Sequence, residues 1–235
     1  MAVPDFSLPA IYKSLAAVQA LEARPGAPDE MAPPVMLRVW IVRHGETDEN
    51  HQGIIQGQLD TKLNPKGRAQ ASRTGEALAT IPFKRAYSSD LSRAAETAKA
   101  ILGHHPDVDL KLETTLRERG MGVLAGKSSQ DMTSEWRRKA RETMEPNTEF
   151  LPRTLAFWRK VLNFYGLPDS LIRPESDAPY DILVVSHGAW IAMLLRNALG
   201  RQGYTEHERV PPSNRVHVKL QRVSSQCVHE RPRPD

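Results

Sequence analysis

The sequence predicts an α/β fold, a three-layer sandwich whose central sheet is mainly parallel and carries helices on both faces. Three observations predict it. Apolar strand-like runs alternate with stretches of helical period, the two most apolar runs lack strict polar alternation, and 235 residues suffice for one such domain. A strand that is apolar on both sides requires a sheet covered on both sides.

The elements follow in chain order. The spacing over Ile11 to Ala23 predicts a short amphipathic helix, and RPGAPDEMAPP after it predicts a linker, so residues 1–35 are expected to be an appended arm. Leu37 to Val42 is rich in Val, Ile and Trp and reads as a buried strand. Asn64-Pro65 opens a helix to about Ala79, with proline in its first turn. Ala86 and Tyr87 form a short strand, after which Ser89 or Asp90 is expected to cap a helix over Leu91 to Leu102. Leu91, Ala94, Ala98 and Ile101 give that helix its apolar face. Val108 to Leu112 reads as a strand, and Gln130 to Met144 and Thr148 to Tyr165 as helices. Ile182 to Val185 is the second buried strand and leads into a helix stopping at Gly200. Val216 to Val223 is a late strand. The expected catalytic domain is residues 36–223, and residues 224–235 read as a disordered tail.

Composition narrows the function classes. A formal charge of +4 and a pI near 9.3 attract anions, but no clustered basic stripe points to nucleic acid. A small anionic substrate fits better. The longest uncharged apolar run, Ile182 to Leu195, falls short of the roughly 18 residues of a membrane span, and no signal peptide opens the chain. The single Cys227 cannot form an internal disulfide, so the expected compartment is the cytoplasm.

The two buried strands end in Arg43-His44-Gly45 and Ser186-His187-Gly188. In open α/β sheets ligands bind beyond the carboxyl ends of the strands. If these strands are neighbours, both histidines emerge at one edge. Arg93 follows a third strand in the first turn of a helix, where free N–H groups and the dipole favour an anion. Two histidines and two arginines call for an anion with several oxygens, and a guanidinium fork matches phosphate. The arginines also disfavour protonation of His44, which leaves an imidazole nitrogen free as a nucleophile. Glu118, in LRERGMG, is the expected proton donor. Its rivals are Glu113, expected to face solvent, and Glu46, expected to bind neighbouring backbone groups.

Other readings fit less well. HGETDENH lacks metal-ligand spacing on a defined helix, and the arginines would repel a cation, so neither a metal nor a cofactor is expected. Ser186 beside His187 lacks the Gly-x-Ser-x-Gly elbow of a serine hydrolase. Trp136, Trp158 and Trp190 read as core or pocket walls. His104-His105 reads as loop and WRRKARE as a solvated helix face.

Taken together and in order, RHGETDEN, SSDLSRAAETA, LRERGMGVLAGK and VVSHGAW resemble the histidine phosphatase superfamily with its phosphoglycerate-mutase-like fold. The resemblance spans about Leu37 to Val223. It implies that His44 is the phosphorylated nucleophile, that Arg43, Arg93 and His187 hold the phosphoryl group, and that Glu118 protonates the leaving group. It also implies that Asn50 adds a phosphate-contacting amide and that Gln56 and Gly57 form a substrate-side turn. Gly188 joins them as a substrate-binding position. IIQGQLDTKLNPKG followed by LRERGMGVLAGK looks closest to the fructose-2,6-bisphosphatase-like branch and to broad-specificity sugar-phosphate phosphatases. Only 68 residues, Arg119 to Ser186, separate Glu118 from His187. That is short for the capping insertion of the mutases, so the expectation is a phosphomonoester hydrolase for a small phosphorylated metabolite. A mutase and a noncatalytic phospho-ligand module are the alternatives. The sequence departs from the family at Ala125, where many relatives are acidic, and at EPNTEFLPRTLAF, which replaces a Gly-Gly-Glu stretch. Both departures touch the substrate side. No nucleic acid or membrane partner is expected, and the oligomeric state is open.

Overall fold

The computed structural model describes residues 36–130, 133–166, 180–198, 208–209 and 215–221. The expected arm, linker and tail, the helix stop at Gly200, the strand end at Arg222 and Val223, and Cys227 lie outside the described residues.

Strand β1 (Met36–Arg43) lies inside the sheet, because apolar side chains between Leu37 and Val42 are buried on both of its faces and the cation among them, Arg38, is ion-paired with Asp181. The strands in chain order after it are β2 (Phe83–Ser88), β3 (Leu110–Leu112), β4 (Tyr180–Ser186), β5 (Glu208–Arg209) and β6 (Arg215–Gln221). The sheet order is β3-β2-β4-β1-β6-β5, and every pairing is parallel except β5 with β6. The helices are α1 (Asp48–His51), α2 (Pro65–Leu78), α3 (Ser92–Leu102), α4 (Ser134–Thr143), α5 (Asn147–Gly166) and α6 (Gly188–Asn197).

Alternation along β1 and β4 sorts the core into two layers. Leu37, Val39, Ile41, Ile182 and Val184 pack with Phe150, Phe157, Trp158 and Val161 of α5 and with Trp190 and Leu194 of α6. Trp40, Val42, Leu183 and Val185 face the other way, against Leu78 of α2 and Ala94, Ala98 and Ile101 of α3. Helices therefore cover both faces, and the three-layer expectation holds.

Several boundaries differ from expectation, each for a physical reason. Neither Ser89 nor Asp90 is the residue that caps α3: the cap is Leu91, without a side-chain bond of its own. Asp60 from a distant loop supplies the oxygens, accepting from Ser92 N at 2.6 Å and from Ser92 Oγ at 2.8 Å. Asp90 is held by Arg117 instead. Helix α4 begins at Ser134 rather than Gln130 because Thr133 Oγ1 accepts from Trp136 N at 3.2 Å and caps it there. Strand β3 starts at Leu110, since Val108 N is turned into a bond to His105 O at 3.1 Å. The elements not foreseen among the described residues include two 3-10 turns, Thr114–Leu116 and Gly122–Leu124, a short helix and an edge strand. Helix α1 is one turn capped by Thr47, and β5 is a two-residue edge strand too short to leave a periodic signal. Trp158 and Trp190 lie in the core. Trp136 does not: it is half-buried under Lys127 and Lys139, whose ammonium groups stand 5.0 and 5.5 Å from its ring.

Candidate active site

The register of β1 on β4 brings the two histidines together. Arg43, the last residue of β1, pairs with Ser186, the last of β4, and His44 N donates to Ser186 O at 3.0 Å. His44 and His187 therefore leave the sheet on the same rung. Their ring centroids are 5.0 Å apart at 57°. On the next strand, Ser89 N donates to Val185 O at 3.0 Å, so the segment leading to Arg93 emerges at the same edge. Ser186 Oγ donates to Leu116 O at 2.8 Å and takes no part in the cleft.

His44 Nδ1 lies 2.7 Å from Gly45 O, a carbonyl that can only accept, so Nδ1 carries the proton and Nε2 keeps a lone pair. Arg93 Nε donates to that nitrogen at 3.3 Å. Burial, followed by the charges of Arg93 and Arg43, lowers the His44 pKa to about 3, against the opposing bond to Gly45. The imidazole is neutral throughout the physiological range. His187 is fully buried, and neither ring nitrogen has a hydrogen-bond partner among the described residues. Burial first, then the neighbouring His44, Arg93 and Arg43, holds it well below the ordinary histidine value.

Arg93 reaches the cleft from the first turn of α3 and is 1% exposed. Its guanidinium donates to Leu59 O and Gly57 O, both at 2.7 Å, and is clamped in place by backbone. Burial pulls its pKa down to about 10, with the Glu118 charge opposing, and it stays protonated at neutral pH. The helix end itself is not the anion site expected from the sequence. Its leading N–H groups are spent, Ser92 N on Asp60 and Arg93 N on Thr61 O at 3.1 Å.

A cleft of about 190 Å³ lies above this group, lined by Arg43, His44, Asn50, Gln56, Gly57, Arg93 and Glu118 among others. Arg43 is exposed, and Gly188 lies so close that an added Cβ would stand 3.5 Å from the guanidinium carbon. Asn50 is exposed at the rim, and the Gln56 amide oxygen accepts from the Thr61 hydroxyl. Gly57 has φ +54°, and a side chain there would also strike Met121. Glu118 Oε1 accepts from Arg119 N at 2.9 Å and Oε2 from Ala189 N at 3.1 Å, which aims the carboxylate across the cleft mouth.

The family model of the histidine phosphatase superfamily (branch 1) matches residues 39–230. The chain belongs to that superfamily. It is 35% identical over 178 residues to a probable phosphoglycerate mutase GpmB of Enterobacter sp. (strain 638), covering 73% of this chain and 79% of that protein. It is 31% identical over 186 residues to fructose-2,6-bisphosphatase TIGAR B of Danio rerio, with coverages of 67% and 72%. Among solved structures it is similar to a mycobacterial glucosyl-3-phosphoglycerate phosphatase, with TM-score 0.54, 29% identity and coverages of 66% and 76%. It is also similar to a phosphoglycerate mutase from Bacillus anthracis str. Sterne, with TM-score 0.55, 27% identity and coverages of 67% and 77%.

Within this histidine phosphatase frame the rival carboxylates fall away from the cleft. Glu113 is half-buried and ion-paired with Lys160. Glu46 accepts from Asn64 Nδ2 at 3.1 Å and Lys66 Nζ at 3.0 Å, so it binds side chains rather than the backbone groups expected for it. Three supporting residues were missed. Thr97 Oγ1 accepts from Gly45 N at 3.0 Å and ties the histidine loop to α3. Gly67 lets α2 approach that loop, since an added Cβ would lie 2.0 Å from Glu46 O. Arg153 of α5 donates to Arg117 O at 2.8 Å, Thr115 O at 3.1 Å and Glu118 O at 2.8 Å, and pairs with Glu145. The cap signal Asn64-Pro65 pointed toward Gly67. Nothing in the sequence around Arg153 separates it from the other arginines of the chain.

Proposed function

We propose that the protein is a phosphomonoester hydrolase that works through a phosphohistidine at His44, on a small phosphorylated metabolite. One observation carries this reading: an unprotonated Nε2, fixed by the bond from Nδ1–H to Gly45 O, faces the buried Arg93 in a cleft that also holds Arg43 and Glu118. Such an arrangement stabilises the charge on transferring phosphoryl oxygens without moving any protein group far.

In this mechanism the phosphate ester enters with its oxygens toward Arg43, Arg93, the Asn50 amide and His187. The Nε2 lone pair attacks phosphorus, the bond to the ester oxygen breaks, and the Glu118 carboxyl gives that oxygen its proton. Glu118, now a carboxylate, takes a proton from water, whose oxygen attacks phosphorus. The N–P bond breaks, its electrons return to Nε2, and inorganic phosphate leaves. We assign this activity to residues 36–223. The cytoplasm remains the expected setting, and no helix among the described residues is long and apolar enough to cross a membrane.

The phosphoglycerate mutase name carried by relatives favours a second reading, phosphoryl transfer between hydroxyls. Purified protein is incubated with p-nitrophenyl phosphate and compared with His44→Ala. Turnover by the wild type alone, with acid-labile phosphorus trapped on residue 44, is expected. Turnover equal in the two proteins sinks the proposal. Phosphoglycerate isomers that interconvert faster than inorganic phosphate appears establish the mutase instead.

A further inference from the structure

A second, larger cavity of about 410 Å³ adjoins the histidine cleft and shares Met121 with it. Gln58, Leu59, Met121, Ala125, Glu145 and Glu149 line it. A leaving group attached to a phosphate beside His44 has this space to enter. Its chemistry is therefore set by these walls.

No side chain that lines this cavity is cationic, and two are carboxylates. Glu145 is compensated by Arg153, while the exposed Glu149 has no ion-pair partner among the described residues. Two neighbouring cations outside the lining make contacts of their own. Arg119 Nε donates to Glu145 O at 2.8 Å, and Lys127 rests 5.0 Å from the Trp136 ring. Part of the lining backbone is spent as well. Gly120 N donates to Glu145 Oε2 at 2.8 Å, Ala125 N to Gly122 O at 3.1 Å, and the first-turn N–H groups of Glu149 and Phe150 both to Pro146 O at 3.0 Å. The side-chain acceptors open to a ligand are the Glu149 carboxylate and the amide oxygen of Gln58, whose nitrogen donates to Glu118 O at 3.1 Å. Leu59, 42% exposed, and Met121 add apolar surface for C–H groups.

On the phosphatase reading above, we propose that the group released is an uncharged, hydroxyl-bearing moiety, a sugar or polyol with neither a second phosphate nor a carboxylate. Its hydroxyls donate to Glu149 and Gln58, and its carbon face lies on Leu59 and Met121. Ala125, where an acidic residue was noted as common in the family, leaves room on this side of the cavity.

Glycerol 3-phosphate and 3-phosphoglycerate differ only in a hydroxymethyl group against a carboxylate, so their kcat/KM ratio reads the wall directly. The expected wild-type ratio favours glycerol 3-phosphate by at least about tenfold at low salt, as like charges at close range repel. Glu149→Lys is expected to shrink the ratio by about three- to tenfold, with Glu149→Gln between, and added salt is expected to reduce the difference between variants. Glu149 is exposed in the first turn of its helix, so neither change threatens the fold. A wild-type preference for 3-phosphoglycerate, or a ratio that Glu149→Lys leaves unchanged, overturns the proposal. Failure to turn over even p-nitrophenyl phosphate overturns the phosphatase reading and this proposal with it, whereas good turnover of that ester with the wrong ratio overturns this proposal alone.

Discussion

His44 owes its lone pair to a single carbonyl. Gly45 O accepts from Nδ1–H, and burial, followed by the guanidinium charges, keeps a second proton off the ring. Glu118 has the complementary task, and its two oxygens rest on N–H groups from different segments, Arg119 and Ala189. An amide in its place keeps one such bond but has no acidic proton. Glu118→Gln is therefore expected to lower kcat by about 10² to 10⁴-fold while the inhibition constant for inorganic phosphate changes little. Equal losses in steady-state rate and in phosphate inhibition would identify the wrong carboxylate. At this scale the motifs were informative because His44 and His187 each follow a strand end directly, a position that sequence marks. Asp60 and Arg153 were not legible, since each acts on a backbone segment that only folding brings near.

Arg153 shows how one element can position another. From α5 it holds three carbonyls of the segment Thr115 to Glu118 and the Glu145 carboxylate, so the loop bearing Glu118 is braced against the helical layer. Replacement by lysine keeps the charge and loses the planar fork. Arg153→Lys is expected to cost about 1–3 kcal/mol in urea unfolding, because part-buried carbonyls lose their donors. It is also expected to depress kcat while phosphate inhibition is retained, and Arg153→Ala should be worse on both counts. A stability loss with kcat untouched would leave Arg153 a purely structural residue. The long, periodic elements were read correctly from apolar spacing. The edges of α3 and α4 were not, because caps come from whichever oxygen folding supplies, Asp60 in one case and Thr133 in the other.

The whole molecule carries the cost of keeping two imidazoles neutral and buried. In the unfolded chain each titrates near 6.5, whereas in the fold His44 titrates at about 3 and His187 well below its ordinary value. Below pH 6.5 the unfolded state binds protons that the folded state refuses, so stability is lost as pH falls and is fully present above that value. The expected slope from His44 is about 1.4 kcal/mol per pH unit down to about pH 3, and His187 adds to the decline in the same direction. Urea midpoints at pH 7, 6 and 5 measure it, and His44→Asn should flatten the decline. A midpoint independent of pH between 7 and 5 would mean that the two rings are solvated. The three-layer architecture was the most legible property of all, because a central strand apolar on both faces admits few other surroundings.

The rung that joins Arg43 to Ser186 has a temporal consequence. His44 and His187 stand 143 positions apart along the polypeptide, 187 minus 44, and meet only through that long-range pairing. A nascent chain still lacking its fourth strand holds one imidazole without the other. Recovery of catalysis during refolding therefore times the slowest kind of closure, contact between distant segments, rather than the growth of local helices.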